Sequence, residues 1–167
     1  MTIKKFISMT LLAGVLGLTT YLGYRIIRIQ KIRSDASRLP SFAFKTTTGK
    51  TFTDDMIKPG YSHLVINHFS PDCEFCQHMT IQLRDKRQWL DNTLVIMVTE
   101  SDSTEVAGFM TKYRLNDRED ILVLLDPTVT FYRKFGTGVA PSFFVYDGSR
   151  RLTKRILGET KIEDLIQ

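Results

Sequence analysis

The chain has 167 residues, room for about one domain plus an appendage. Its formal charge of +5 is unevenly spread: residues 1–38 hold seven Lys/Arg against one acid, Asp35, while the remainder holds 16 basic and 17 acidic residues. The surplus therefore sits beside one terminus and is not a nucleic-acid footprint, and a total of two cysteines excludes a framework of structural disulfides.

From Phe6 to Tyr24 no residue is charged, and the run FISMTLLAGVLGLTTYLGY follows Lys4 and Lys5. As a helix it is about long enough to cross a bilayer. A cleaved signal peptide shares the basic start and apolar stretch. Here, however, no A-x-A site follows, the apolar run exceeds a typical h-region, and no cysteine is available for a lipoprotein anchor. The expectation is an uncleaved, single-pass anchor at residues 6–24, then a basic helical extension or linker over Arg25–Arg38. That divides the chain into an anchor and linker (1–38) and a globular domain (39–167).

Past Leu39-Pro40, the segments Phe42–Lys45 and Thr51–Thr53 flank Thr48-Gly49 and predict a hairpin. Pro59-Gly60 breaks the chain before an apolar strand, His63–Phe69. A helix is predicted from about Cys73 to Trp89, with Phe75, Met79, Leu83 and Leu90 at helical spacing. Leu94–Val98 reads as a strand buried on both faces. Ser101–Glu105 offers caps to a second helix with Val106, Phe109, Met110 and Tyr113 on its apolar face. Ile121–Leu125 is another buried strand, stopped by Asp126-Pro127, and a third helix runs through Val129–Phe135. Ser142–Tyr146 and Leu152–Leu157 pair around Asp147-Gly148, and Lys161–Ile166 is a terminal helix. Parallel β-α-β units joined to antiparallel hairpins imply an α/β sandwich: a central mixed sheet between helical layers.

The chemistry sits in Ser70-Pro71-Asp72-Cys73-Glu74-Phe75-Cys76-Gln77-His78. A strand feeding a C-x-x-C at a helix start is the layout of a dithiol/disulfide redox centre, because unpaired N–H groups at the helix N-terminus favour a nucleophilic thiolate. Cys73, at the helix start, is the expected attacking thiol. Cys76, one turn in and more buried, is the expected resolving thiol. A zinc site needs four soft or imidazole donors, and His63, His68 and His78 are the only histidines. No metal and no cofactor beyond the Cys73–Cys76 disulfide are expected.

Residues 40–167 resemble the thioredoxin fold, specifically the TlpA/ResA-like membrane-anchored thiol-disulfide oxidoreductases. The resemblance is carried in order by FAFKTTTGKTFT, LVINHFS, CEFC, LVIMVTES, GFMTKY, LVLLDP and VAPSFFVYDG. It implies a thioredoxin-like three-layer sandwich. It further implies that Pro141, 65 residues after Cys76, is cis and packs beside the C-x-x-C, so that Val139, Ala140 and Pro141 present backbone to an extended substrate. Copper chaperones of the Sco type share fold and anchor but use C-x-x-x-C and a distant histidine, both missing here.

Several positions depart from the family pattern. Asp72 replaces the usual tryptophan before the first cysteine, Phe75 stands where many relatives have proline, and Met79 occupies the place of a proton-handling glutamate. Asn67, where soluble thioredoxins bury an acid, matches the anchored group; His68 or His78 could substitute as proton carrier, but a solvated or packed histidine is the favoured reading of both. Asp72 and Glu74 flank Cys73, and negative charge there opposes the helix N-terminus. Asp72 is also a natural N-cap that would compete for the same N–H groups. With Asn67, these residues are expected to tune the pair toward a reductant, since a strong oxidant needs its thiolate stabilised.

The expected partners are protein disulfide or thiol substrates, an unidentified electron donor and the membrane, with no nucleic acid. Orientation is contested. Five basic residues follow the span and two precede it, which taken alone puts the domain in the cytoplasm. A dithiol enzyme belongs more naturally on the oxidising, periplasmic face of the inner membrane, the favoured expectation. Two alternatives stand beside the oxidoreductase. One is a thiol peroxidase, suggested by Ser70-x-x-Cys73 but lacking the proline that should fall at Ile66. The other is a redox-inert binding module of the same fold.

Overall fold

The apolar runs of the middle of the chain become the inner strands of one seven-stranded sheet. In the computed structural model residues 3–166 are described, the side chains at 3–10, 29 and 32–35 excepted. The strands are β1 (Ala43–Thr46), β2 (Thr51–Thr53), β3 (His63–His68), β4 (Thr93–Thr99), β5 (Ile121–Leu125), β6 (Ser142–Asp147) and β7 (Leu152–Leu157), in the spatial order β2-β1-β5-β4-β3-β6-β7. β3, β4 and β5 are mutually parallel, and the two hairpins close the sheet antiparallel at either edge. Every residue of β4 is buried, as a central strand covered on both faces requires.

The helices are α1 (Ile3–Asp35), α2 (Glu74–Asp85), α3 (Ser103–Lys112), α4 (Phe131–Phe135) and α5 (Glu163–Ile166). Side chains alternate across the strands, so the sheet divides the core in two. One cluster joins Val65, Val95, Met97 and Phe143 to Cys76, Met79 and Leu83 of α2, Val106 and Phe109 of α3, and Leu165 of α5. The other joins Leu64, Ile66, Ile96 and Val98 to Phe42, Phe44, Phe131, Phe135, Phe144 and Tyr146. Each large side chain so buried contributes about 1.5–3 kcal/mol. The three-layer sandwich with a mixed central sheet is therefore as expected.

Three boundaries differ from expectation. α2 stops at Asp85 instead of reaching Trp89. A 3-10 turn over Arg87–Trp89 takes over and swings Leu90 into the core, while Trp89 stays exposed. Phe75, counted on the apolar face of α2, is 60% exposed. α4 begins at Phe131, not Val129, because the buried Asp126 carboxylate accepts the N–H groups of Thr130 (2.6 Å) and Phe131 (2.7 Å) and Val129 is left in the left-handed region, φ 52°.

The segment after α1 belongs to the domain. Ala36 is buried, its carbonyl accepts from the Tyr146 hydroxyl (3.3 Å), Ser37 O accepts from Leu152 N (2.8 Å), and Arg38 bridges to Arg151. The domain edge thus lies about where α1 ends rather than at 38/39. α1 itself is one helix that runs through the basic extension, with Leu11, Leu12, Val15, Leu16, Leu18 and Leu22 exposed. Among the described residues no helix is long and apolar enough to cross a membrane, and the side chains of 6–10, the start of the 6–24 run, lie outside them.

Candidate active site

β3 hands the chain to α2 through a tight turn. Phe69 N–H donates to Val98 O (3.0 Å), which prolongs the sheet by one residue, and Cys73 N–H closes on Ser70 O (3.2 Å). Gln77 Nε2 reaches back to Pro71 O at 2.7 Å and ties the turn to the helix it opens. The N-cap is Cys73 itself, with extended backbone (φ −81°, ψ 115°), and its Sγ accepts the Cys76 N–H at 3.2 Å. Asp72 does not cap the helix as expected: the sulfur occupies the capping place and the Asp72 side chain is exposed. Glu74 lies in the first turn, also exposed.

The two sulfurs differ as foreseen. Cys73 is half-buried and Cys76 is 1% exposed; both are free thiols. Burial, reinforced by the hydrogen bond with Cys73, pushes the Cys76 thiol up to about 12. A buried thiolate lacks the water that would solvate it, so the proton is held.

The segment Gly138–Pro141 faces this pair. The Ala140–Pro141 peptide is cis, and Ala140 O lies 3.8 Å from Cys73 Sγ. Pro141 O accepts from Gly158 N at 2.8 Å, and Thr137 Oγ1 accepts the Val139 N–H at 3.0 Å. Val139 is 49% exposed. Asn67, buried at the end of β3, donates from Nδ2 to Ser142 O (3.1 Å) and His68 O (3.3 Å). It braces the strand after Pro141 and is not among the hydrogen-bond partners of either sulfur.

Two residues gain roles that sequence reasoning missed. His68 is 5% exposed, its Nδ1 lies 3.1 Å from Val139 O, and its ring stacks on Phe131 at 4.5 Å and 16°. Its Nε2 lies 3.8 Å from Glu100 Oε1. Asp126, read only as a strand stop, caps α4 and so places Phe131 under that ring. The signal was present in Asp126-Pro127-Thr128, a carboxylate ahead of a turn. His78 pairs instead with Glu159 on the surface, and Met79 is buried in the core. Among the described residues the polar groups at the sulfurs are the Cys76 N–H and the Ala140 carbonyl at Cys73, and the Ser70 backbone at Cys76. No histidine, carboxylate or arginine among the described residues is hydrogen-bonded to either sulfur. Among the described residues no group of three or more His, Cys, Asp or Glu could hold a metal ion.

A family model described as Redoxin matches residues 34–165. Among solved structures, StoA from Bacillus subtilis is 16% identical with a TM-score of 0.59, covering 77% of this chain and 96% of its own. A secreted Mycobacterium tuberculosis disulfide oxidoreductase homologous to E. coli DsbE is 18% identical, TM-score 0.61, covering 79% and 93%. A peroxiredoxin-like protein from Aquifex aeolicus is 16% identical, TM-score 0.59, covering 76% and 77%. At these identities the likeness is one of fold. No curated protein matches the sequence.

Proposed function

Because the chain belongs to the Redoxin family, we propose that it is a membrane-anchored thiol-disulfide oxidoreductase that reduces protein disulfides through Cys73 and Cys76. The observation that carries the reading is the Cys73 sulfur itself. It is half-exposed at the start of a 12-residue helix, takes the Cys76 N–H at 3.2 Å, and lies 3.8 Å from a backbone carbonyl beside a cis-proline.

In this mechanism the Cys73 thiolate attacks one sulfur of a substrate disulfide. A Cys73–substrate S–S bond forms as the substrate S–S bond breaks, and the released substrate sulfur takes up a proton. Cys76 then gives up its proton and attacks Cys73, forming the intramolecular disulfide and releasing the second substrate thiol. Two electrons pass from the dithiol to the substrate, and an electron donor of the thiol class restores the pair. The Val139–Pro141 segment holds the substrate backbone over Cys73. The direction follows from charge. A strong oxidant stabilises its reduced thiolate, whereas Asp72 and Glu74 flank this sulfur and no cation is hydrogen-bonded to it among the described residues.

The anchor reading is supported by the uncharged run 6–24 and by the large apolar side chains left exposed along α1 from Leu11 to Leu22. On this reading the domain sits on the periplasmic face of the inner membrane, with the basic residues Arg25–Arg38 against anionic headgroups. Equilibrating the full chain in glutathione buffers, with alkylation of the remaining thiols, tests the redox assignment. The pair is expected to stay largely oxidised in mildly oxidising buffer, and complete reduction there contradicts the reductant reading. A membrane-impermeant thiol reagent, applied to cells after reducing pretreatment and outer-membrane permeabilisation, is expected to label Cys73. Labelling only after inner-membrane lysis places the domain in the cytoplasm.

A further inference from the structure

A cavity of about 350 Å³ opens next to the cysteine pair, lined among others by His68, Ser70, Glu100, Ser101, Gly138 and Ala140. It lies where the parallel strands β3 and β4 end, the side of an α/β sheet on which ligands bind. Ala140 belongs both to this cavity and to the segment facing Cys73 Sγ. A substrate chain running along Val139 and Ala140 therefore brings a side chain near its cysteine to the mouth of the cavity.

The chemistry of the lining selects that side chain. Val139 O can only accept, so Nδ1 of His68 carries the proton of their hydrogen bond. In the neutral ring Nε2 is then an acceptor, and it stands 3.8 Å from Glu100 Oε1, a second acceptor. The two cannot bond each other, and a donor shared between them satisfies both. Glu100 is 39% exposed, reachable from solvent, whereas His68 is 5% exposed. Among the described residues no lysine or arginine lines the cavity. We propose that this cavity is a specificity subsite for a cationic side chain, lysine or arginine, close to the reacting cysteine of the substrate polypeptide, with Glu100 supplying the charge and His68 the buried acceptor. The proposal rests on the reading of Val139–Pro141 as the substrate platform.

The test uses short peptides, each closed by one disulfide, with lysine, norleucine or glutamate beside a cysteine. Pre-reduced full chain in detergent is mixed with each, and single-turnover oxidation of the Cys73–Cys76 pair is quenched by alkylation. Lysine peptides are expected to react about tenfold faster than glutamate peptides, the advantage shrinking as salt rises. Glu100→Gln is expected to bring the two within about twofold, and Glu100→Lys to reverse the order. No preference in the native chain, or the same preference in Glu100→Gln, overturns the subsite and leaves His68 and Glu100 as a self-contained ion pair. In a second arm the same peptides carry serine in place of cysteine, and their binding is followed by fluorescence anisotropy. If no peptide oxidises the native chain, the oxidoreductase reading falls. The binding arm still decides the subsite: a lysine preference abolished by Glu100→Gln upholds it, and equal binding refutes it.

Discussion

The two sides of the sheet are built from different materials and serve the site differently. On the α2 side the core mixes aliphatic and sulfur-containing side chains with an aromatic run, Phe69–Phe109–Tyr113, and it seats Cys76 among residues such as Met79, Leu83, Val106 and Val123. On the α4 side it is aromatic, with Phe42 on Phe44 at 4.9 Å and Phe131 on Phe135 at 4.4 Å, and it ends at the ring of His68 under the Val139 carbonyl. The first side sets the reactivity of the sulfurs through burial. The second reaches the Gly138–Pro141 segment through the His68–Val139 hydrogen bond, while Ala140 packs on the first. On the proposed function, thiol chemistry leans on the first core and the placing of Val139 on the second, and Asn67 ties the ends of β3 and β6 between them.

Substitutions that disturb one side alone break or sharpen that division. Met79→Ala empties a buried place on the α2 side and is expected to cost about 2–5 kcal/mol. It should speed alkylation of Cys76, with hydrogen exchange at the Val139 amide little changed; denaturant titration and mass spectrometry read both. Asp126→Ala removes the α4 cap and leaves the Thr130 and Phe131 N–H groups without it, for a cost of about 2–3 kcal/mol. Here the pattern inverts: exchange at Val139 rises and Cys76 alkylation stays near native.

The pH dependence separates the sides further. The Cys76 thiol sits above its ordinary value of 9.0, at about 12, so the folded dithiol holds its proton more tightly than the unfolded chain. Stability from this group is full below pH 9.0 and is lost as pH climbs from there toward 12, with a slope of at most about 1.4 kcal/mol per pH unit. Thermal unfolding of the reduced protein, followed from below pH 9.0 upward, should show this loss, and Cys76→Ser should remove it. The smallest expected effect is that of His68→Phe, which keeps a ring against Phe131 but loses the bond to Val139 O. The lost hydrogen bond, about 0.5–1.5 kcal/mol, should raise KM for a disulfide peptide by about two- to tenfold. Reaction of Cys73 with a small aromatic disulfide should change little. His68→Asn, which restores an N–H near the Nδ1 position, should recover the KM.

Much of this frame can be read from residues alone. The continuous apolar runs Leu94–Val98 and Ile121–Leu125, the hairpin turns and the C-x-x-C after a strand are local signals, and local signals survive folding. Pro141 could be paired with the cysteines only through family resemblance, because nothing in its own neighbours specifies what lies across 65 residues of chain. His68 and Glu100 were invisible as a pair for the same reason. His68 ends β3 and Glu100 follows the end of β4, and only the register of the two strands makes them neighbours. The N-cap shows a different failure. Asp72 has the better capping side chain by type, yet Cys73 takes the position because the turn closed by Ser70 O begins the helix one residue later. The end of α2 turned on a tertiary partner, Leu90 reaching the core, whereas the start of α4 turned on a local one, Asp126 capping across a turn.

The central claim is that Cys73 attacks and Cys76 resolves, and trapping tests it most directly. Full-length Cys76→Ser and Cys73→Ser, expressed in cells and alkylated on lysis, are compared on non-reducing gels, and captured partners are identified by mass spectrometry. The account predicts mixed disulfides with partner proteins through Cys73 in Cys76→Ser and none in Cys73→Ser, whose remaining thiol is buried and holds its proton. Equal trapping by both variants, or capture through Cys76 alone, would contradict it.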